Sequence, residues 1–221
     1  MTRTVTVAAT QMGCSWDRQA NLAQAERLVR EAAAKGAQII LIQELFETPY
    51  FCQKPNPDYL QLATRVEDNP AIKHFQALAK ELGISLLIGS LALKQAKGGK
   101  ALNRSFLFGP DGAVKAWYDK AHMFDVGLGQ GESYRESDNY QAGDRLVLTE
   151  AEGARLGLSI CYDVRFAYLY RRLAKAGARI LAVPAAFTRP TGRAHWEVLL
   201  RARAIETGSY VIAPAQSGLH E

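Results

Sequence analysis

VREAAAKGAQIILI (residues 29–42) and YRRLAKAGARILAV (residues 170–183) share one pattern, and that pattern decides the fold. In each, a helix-periodic stretch meets a glycine and an alanine and then runs on as unbroken apolar sequence. A glycine just past the last periodic position stops a helix, and an apolar run of this length marks a strand covered on both faces. QALAKELGISLLI (76–88) is a looser third copy. Such α–β units are not a short-period repeat, which excludes a solenoid. They predict an α/β fold with helices covering sheets.

Working outward, residues 4–11 alternate as a first strand and residues 17–35 form a helix. Its inner face carries Leu22, Ala25, Leu28, Val29 and Ala32. Residues 37–43 form a buried strand, and residues 50–69 a polar, aromatic connection. Asn69-Pro70 opens a helix that turns Ile72, Phe75, Leu78, Ala79 and Leu82 inward and stops at Gly83. A strand over 85–90 follows. A hairpin, 103–108 with 113–119, turns at Gly109-Pro110-Asp111-Gly112. Residues 120–144 are expected as one long loop, a length that is usually functional or disordered. Strands over 145–149, 155–160, 179–184 and 210–214 alternate with helices over 166–176 and 194–207.

The 221 residues fit one domain, residues 1–221. A net charge of +5 without a basic run argues against a nucleic-acid partner. No stretch has the length and apolarity of a membrane span, and the first residues lack signal-peptide regions. Cys14, Cys52 and Cys161 lack C-x-x-C spacing, which points to a reducing, cytoplasmic home. Cysteines and histidines are scattered without ligand spacing, so no metal is expected. Cys14 and Cys52 are expected to be structural or to line a pocket.

In layered α/β folds, sites gather at the carboxyl ends of strands. Three reactive side chains stand there: Glu44, Lys120 and Cys161. Singly, each has an ordinary explanation, an inert core cysteine or a solvated charge. Together they hold what amide hydrolysis requires: a nucleophile, a carboxylate to take its proton, and a cation to face the developing oxyanion.

LIQELFE (41–47), YDKAHMFD (118–125) and GLSICYDVRF (157–166) resemble the three catalytic motifs of the nitrilase superfamily of carbon–nitrogen hydrolases, in order. Spacings of 76 and 41 residues separate Glu44, Lys120 and Cys161. PAAFTRPTG (184–192) and HWEVLLRARAIET (195–207) resemble the downstream framework. The resemblance implies a four-layer α-β-β-α sandwich and a cofactor-free amidohydrolase working through a cysteine thioester. It also implies a homodimer or higher homo-oligomer. Glu136 best matches a second site carboxylate, with Glu132 its competitor. Tyr162, Arg165, Phe187 and Thr188 are expected to contact the substrate. Up to about residue 83 the text is similar to N-carbamoylputrescine amidases; beyond it, to deaminated-glutathione amidases and omega-amidases. Superfamily members generally continue with further strands, so the resemblance implies a domain lacking the final ones.

The main expectation is hydrolysis of a small linear amide, an omega-amide of a carboxylic acid such as deaminated glutathione or a 2-oxo-acid amide. Arg165 would then bind the substrate carboxylate, or else pair with Asp163 or Glu136. The alternative is a cationic N-carbamoyl amine, favoured by Phe51-Cys52-Gln53, with Glu47 or Asp58 as counter-charge. Two rivals stand apart: a Cys161 enzyme with His122 or His195 and Asp163, and a non-catalytic truncated module. Arg201, Arg203 and Glu206 are expected to form a salt-bridge network.

Overall fold

In the computed structural model, which describes residues 4–49, 59–95, 98–129 and 132–218, helix α1 (Arg18–Ala34) starts at Asp17. The Asp17 side chain accepts the Ala20 N–H, which satisfies one donor of the first turn. The segment after α1 enters β2 (Ile39–Leu41), which pairs in parallel with β1 (Val7–Ala9) on one side and β3 (Ser85–Leu93) on the other. The short α2 (Tyr59–Leu62) interrupts the 50–69 connection, and α3 (Pro70–Leu82) follows. Antiparallel β4 (Leu102–Phe108) and β5 (Val114–Asp119) complete a sheet in the order β1-β2-β3-β4-β5.

Three further elements, β6 (Asp125–Gly129), β7 (Glu132–Arg135) and α4 (Glu136–Asn139), fill the stretch expected as loop. The second sheet, in the order β11-β10-β9-β8, is made of β8 (Leu148–Ala151), β9 (Ala154–Leu158), β10 (Ile180–Ala182) and β11 (Tyr210–Ile212). Helices α5 (Ala167–Lys175) and α6 (Arg189–Thr207) lie between its strands in sequence.

The period-2 alternation of the strands builds the layers. Ile40, Ile42, Leu86 and Ile88 point to α1 and α3, where they meet Val29, Phe75 and Leu78. Their neighbours Ile39, Leu41 and Leu87 point the other way, onto Leu156, Leu158, Ile180 and Ala182 of the second sheet. Leu181 and Val183 then face Tyr170 and Leu173 of α5 and Leu199 and Leu200 of α6. The order is helices, sheet, sheet, helices: the expected α-β-β-α sandwich.

Three expectations are corrected. The strand placed at 145–149 is β8, later in sequence, because Glu152 and Gly153, at φ 51° and 71°, form a two-residue turn that sets Ala151 opposite Ala154. The loop over 120–144 contains the β6–β7 ribbon, which sets Val126 opposite Tyr134 and packs both against Phe124. Helix α6 begins five residues before residue 194, because Pro190 sits in its first turn, where a missing N–H costs nothing. The readings of Cys52 and Asp58, and of Phe51 and Gln53 beside them, lie outside the described residues.

Candidate active site

Two of the three strand-end residues, Glu44 and Cys161, are held by backbone that departs from regular geometry. Glu44 follows β2, and the next residue, Leu45, has φ 47°. Leu45 donates its N–H to Ser90 Oγ at 3.0 Å, so β3 fixes this turn. Irregular β3–β4 register between Ile88 and Leu91 brings the β3 backbone close. A Cβ on Gly89 would stand 1.9 Å from the Ile42 carbonyl oxygen. Gln216, beyond β11, braces the same turn by donating to the carbonyls of Glu44, Leu45 and Thr48 at 2.9–3.2 Å.

Cys161 begins a 3-10 turn (Cys161–Arg165) and itself has φ 47°. Positive φ on a non-glycine residue is strained, and such strain clusters where a side chain must be presented. Two bonds hold it: Cys161 N–H to the Pro184 carbonyl at 2.8 Å, and Ile160 N–H to Asp163 Oδ2 at 2.9 Å. Lys120 follows β5, its N–H bonded to the Asn103 carbonyl at 2.9 Å. Glu136 opens α4, where Phe124 N–H donates to its Oε2 at 2.6 Å.

These four side chains meet in the interior. Glu44, Lys120 and Glu136 are fully buried, and Cys161 nearly so. Lys120 Nζ lies 3.0 Å from Glu44 Oε1 and 3.0 Å from Glu136 Oε1. Glu44 Oε2 accepts the Ala186 N–H at 2.8 Å. Asn103 Nδ2 donates to Glu44 Oε1 at 2.8 Å and to Glu136 Oε1 at 3.3 Å.

Charge balance explains the proton positions. Burial disfavours the Lys120 ammonium, but the charges of Glu136 and Glu44 outweigh it and hold its pKa well above the usual lysine value. Burial raises the Glu136 pKa, Lys120 pulls it down and the Glu44 charge raises it; the result lies above the usual carboxylate value. Burial pushes the Cys161 thiol well above its ordinary value, and the Glu44 charge adds to this against the pull of Lys120. The resting nucleophile is therefore a protonated thiol with a carboxylate partner, which calls for proton removal as attack occurs.

Cys161 opens onto a recess of ≈10 Å³ lined by Phe124, Ala186, Phe187, Thr188 and Thr191, with room for about one water-sized group. A larger cleft, ≈500 Å³ between β1 and the second sheet, is lined by Val5, Val7, Ile180, Tyr210 and Ile212 and has no nucleophile–base pair. Tyr162 packs edge-on against Phe124 and Phe166. Arg165 stands 5.4 Å from the Tyr162 ring and 5.5 Å from that of Phe187. Neither expected partner of Arg165 pairs with it: its Nη1 donates to His195 Nδ1 at 3.2 Å. Among the described residues it forms no ion pair.

Asp163 is occupied elsewhere. It accepts Tyr118 Oη at 2.8 Å and His122 N–H at 3.0 Å, and His122 Nδ1 lies 2.7 Å away. The His122 ring stacks on Phe166 at 3.6 Å. An Asp–His pair thus exists, but the charges that act on the Cys161 thiol are those of Glu44 and Lys120. His195 lies inside α6 rather than at its start. Cys14 is buried and free, donating to the Phe46 carbonyl at 3.3 Å. Glu47 pairs with Arg18 at 2.7 Å, so its charge is already compensated. The expected network on α6 divides in two: Arg201 pairs with Glu197, while Arg203 bonds Glu206 and the Val164 carbonyl. Glu132 begins β7, and its side chain lies outside the described residues. No group of three or more His, Cys, Asp or Glu among the described residues is placed to hold a metal.

Sequence reasoning passed over Asn103, Ser90, Gln216 and the Ala186 N–H. A polar residue inside an apolar strand, as Asn103 and Ser90 are, is the signal that could have found two of them.

The carbon–nitrogen hydrolase family profile matches residues 6–221. A deaminated glutathione amidase of Synechocystis is 41% identical over 216 residues, 96% of this chain and 78% of that protein. That alignment runs through both halves of the sequence, including the part read as similar to N-carbamoylputrescine amidases. The omega-amidase NIT2 of Bos taurus is 38% identical over 208 residues, 94% of this chain and 73% of that protein. The crystal structure of the C. elegans NitFhit protein superposes with a TM-score of 0.86 at 33% identity, covering 99% of this chain. This chain spans about half of that longer protein, 53% of its length.

Proposed function

The chain belongs to the carbon–nitrogen hydrolase family and is an amide-hydrolysing enzyme, and from that premise we propose a cysteine thioester mechanism acting on a linear omega-amide of a carboxylic acid. Glu44 takes the Cys161 proton as sulfur attacks the amide carbon. Lys120 and the Tyr162 N–H, at the start of the 3-10 turn, face the oxyanion. Glu44 returns the proton to the leaving nitrogen, the C–N bond breaks and ammonia departs. Glu44 then deprotonates water, which adds to the thioester; collapse releases the carboxylic acid and restores the thiol. Glu136 holds Lys120 between two carboxylates and keeps it charged.

One observation carries this reading: Lys120 lies 3.0 Å from Glu44, both fully buried, and both charges act on the protonated Cys161. The narrow recess at the thiol supports a small, unbranched head group. Arg165, with no acidic partner among the described residues, supports an anionic tail, since its planar fork matches a carboxylate. The relatives' names, deaminated glutathione amidase and omega-amidase, point to the same class. The cationic alternative is less well supported, because Glu47 already serves Arg18.

The self-association expected from the resemblance has a structural candidate. Val198, Arg201 and Ile205 share one face of α6, and Tyr168 on α5 is exposed as well. No helix among the described residues is long and apolar enough to cross a membrane. A mechanism that needs a free thiol suits a reducing compartment, and we place the enzyme in the cytoplasm on that ground.

Substrate class is tested by comparing an anionic omega-amide with a cationic N-carbamoyl amine. The anionic substrate is expected to be preferred, and Arg165→Ala to raise its KM about tenfold or more while kcat changes less. Preference for the cation, or an unchanged KM in the variant, contradicts this reading.

A further inference from the structure

We propose that Asn103 is a positioning residue of the active site, whose single amide nitrogen holds Glu44 and Glu136 in place on either side of Lys120. The inference rests on the thioester reading and deepens it.

Four atoms form a closed ring. Glu44 Oε1 accepts from Lys120 Nζ at 3.0 Å and from Asn103 Nδ2 at 2.8 Å. Glu136 Oε1 accepts from the same two nitrogens, at 3.0 and 3.3 Å. Donors and acceptors alternate around the ring, and one donor carries charge while the other does not. Lys120 alone would leave two carboxylates sharing one cation. Asn103 supplies a second donor to both without adding charge, which leaves the balance between Glu44, Lys120 and Cys161 undisturbed. The residue is fully buried in β4. Its Oδ1 has no protein partner among the described residues, so every side-chain hydrogen bond it makes there runs through the nitrogen. Asn is a poor strand former, and a buried amide with an unmatched oxygen weakens a fold. Local choices that oppose the fold are expected at functional sites. The β4 backbone adds a second hold, since the Asn103 carbonyl accepts the Lys120 N–H.

The titratable groups around the amide are Glu44, Glu136 and Lys120, with Cys161 acting on Lys120 and under the charge of Glu44. Losing the Nδ2 donor removes a hydrogen bond that favours Glu136 in charged form, so the protonation of that carboxyl, already raised by burial, moves to still higher pH.

The test is the pH profile of kcat and KM for Asn103→Leu, which keeps the volume and deletes the donor. The expected result is a kcat lower by about 10²-fold, as for a misplaced catalytic array, with KM within about threefold. The acid limb of kcat/KM shifts to higher pH. A residue with a merely structural role would leave that limb where it is. Asn103→Ser and Asn103→Ala cover the case in which the leucine variant does not fold: the hydroxyl can donate, so the serine variant should exceed the alanine variant in kcat by about tenfold. An unmoved acid limb with near-parental kcat in the leucine variant, or equal activity of the serine and alanine variants, overturns the proposal. Parallel assays of Cys161→Ala and Glu44→Gln separate the two readings, because activity there would sink the thioester mechanism itself.

Discussion

Burial keeps two thiols protonated, and this gives the stability of the protein a direction with pH. Cys14 is pushed up to about 12 from the ordinary 9.0, mainly by burial and against a hydrogen bond from Gln43. Cys161 is likewise held well above the same 9.0, first by burial. Above the unfolded value, the unfolded chain loses these protons while the folded one keeps them, so the folded state binds more protons and stability falls as pH rises. Lys120 acts in the same direction: its raised pKa stabilises the fold fully below 10.5, and that contribution is lost as pH climbs through the folded value. Urea midpoints should hold steady near neutrality and decline above about pH 9. Cys14→Ala should flatten part of the decline, beyond any constant cost of its cavity. A midpoint that does not fall in alkali contradicts this. At this scale the charged centre was legible, because a Glu, a Lys and a Cys each follow an apolar strand. Asn103 was not, since its partners Glu44 and Glu136 lie 59 and 33 residues away. Only the sandwich brings them together.

The strand β3 shows how an element serves the site from behind. Its glycine at 89 admits the Ile42 carbonyl where any Cβ would stand 1.9 Å away, and Ser90 then reaches Leu45 N–H. Gly89→Ala must push β2 and β3 apart or abolish the irregular register, and both movements displace Glu44. We expect a loss of about 1–3 kcal/mol of stability, as for overpacking. kcat should fall further than for a stability-matched substitution on the outer face of α1. A melting temperature and kcat equal to the parent's would contradict this. Helix ends were readable because Asp17, Asn69 and Gly83 carry their own chemistry; the Asn69 side chain accepts the Ala71 and Ile72 N–H groups at the start of α3. The β6–β7 ribbon was hidden, because glycines dilute its alternation and its apolar residues face Phe124 rather than either large core. The first strand of the second sheet was misplaced, because the Glu152-Gly153 turn that sets its register carries only one glycine as a signal.

The layered α/β class was legible in the α–β units, since they state which runs are covered on both faces; the count of four layers came from the resemblance to the nitrilase superfamily. What covers the outside of the second helix layer was not legible, because an exposed apolar residue is ordinary when single. Ile205 is 82% exposed and Val198 68%, one turn apart from Arg201 on the same face. If this face joins two copies, replacing Val198 and Ile205 together by Asp should convert a dimer in sedimentation to a monomer with the fold intact. A monomeric parent, or a variant that still dimerises, would remove this surface from the account. The central claim is that carbon–nitrogen cleavage passes through an acyl group on one sulfur, and intact-mass spectrometry of the whole chain addresses it directly. Rapid acid quench during turnover of an omega-amide should show a species heavier by the acyl group, located on Cys161 by peptide mapping and missing from Cys161→Ala, which should not turn over. Steady turnover by Cys161→Ala, or an adduct mapped to another residue, would contradict the account.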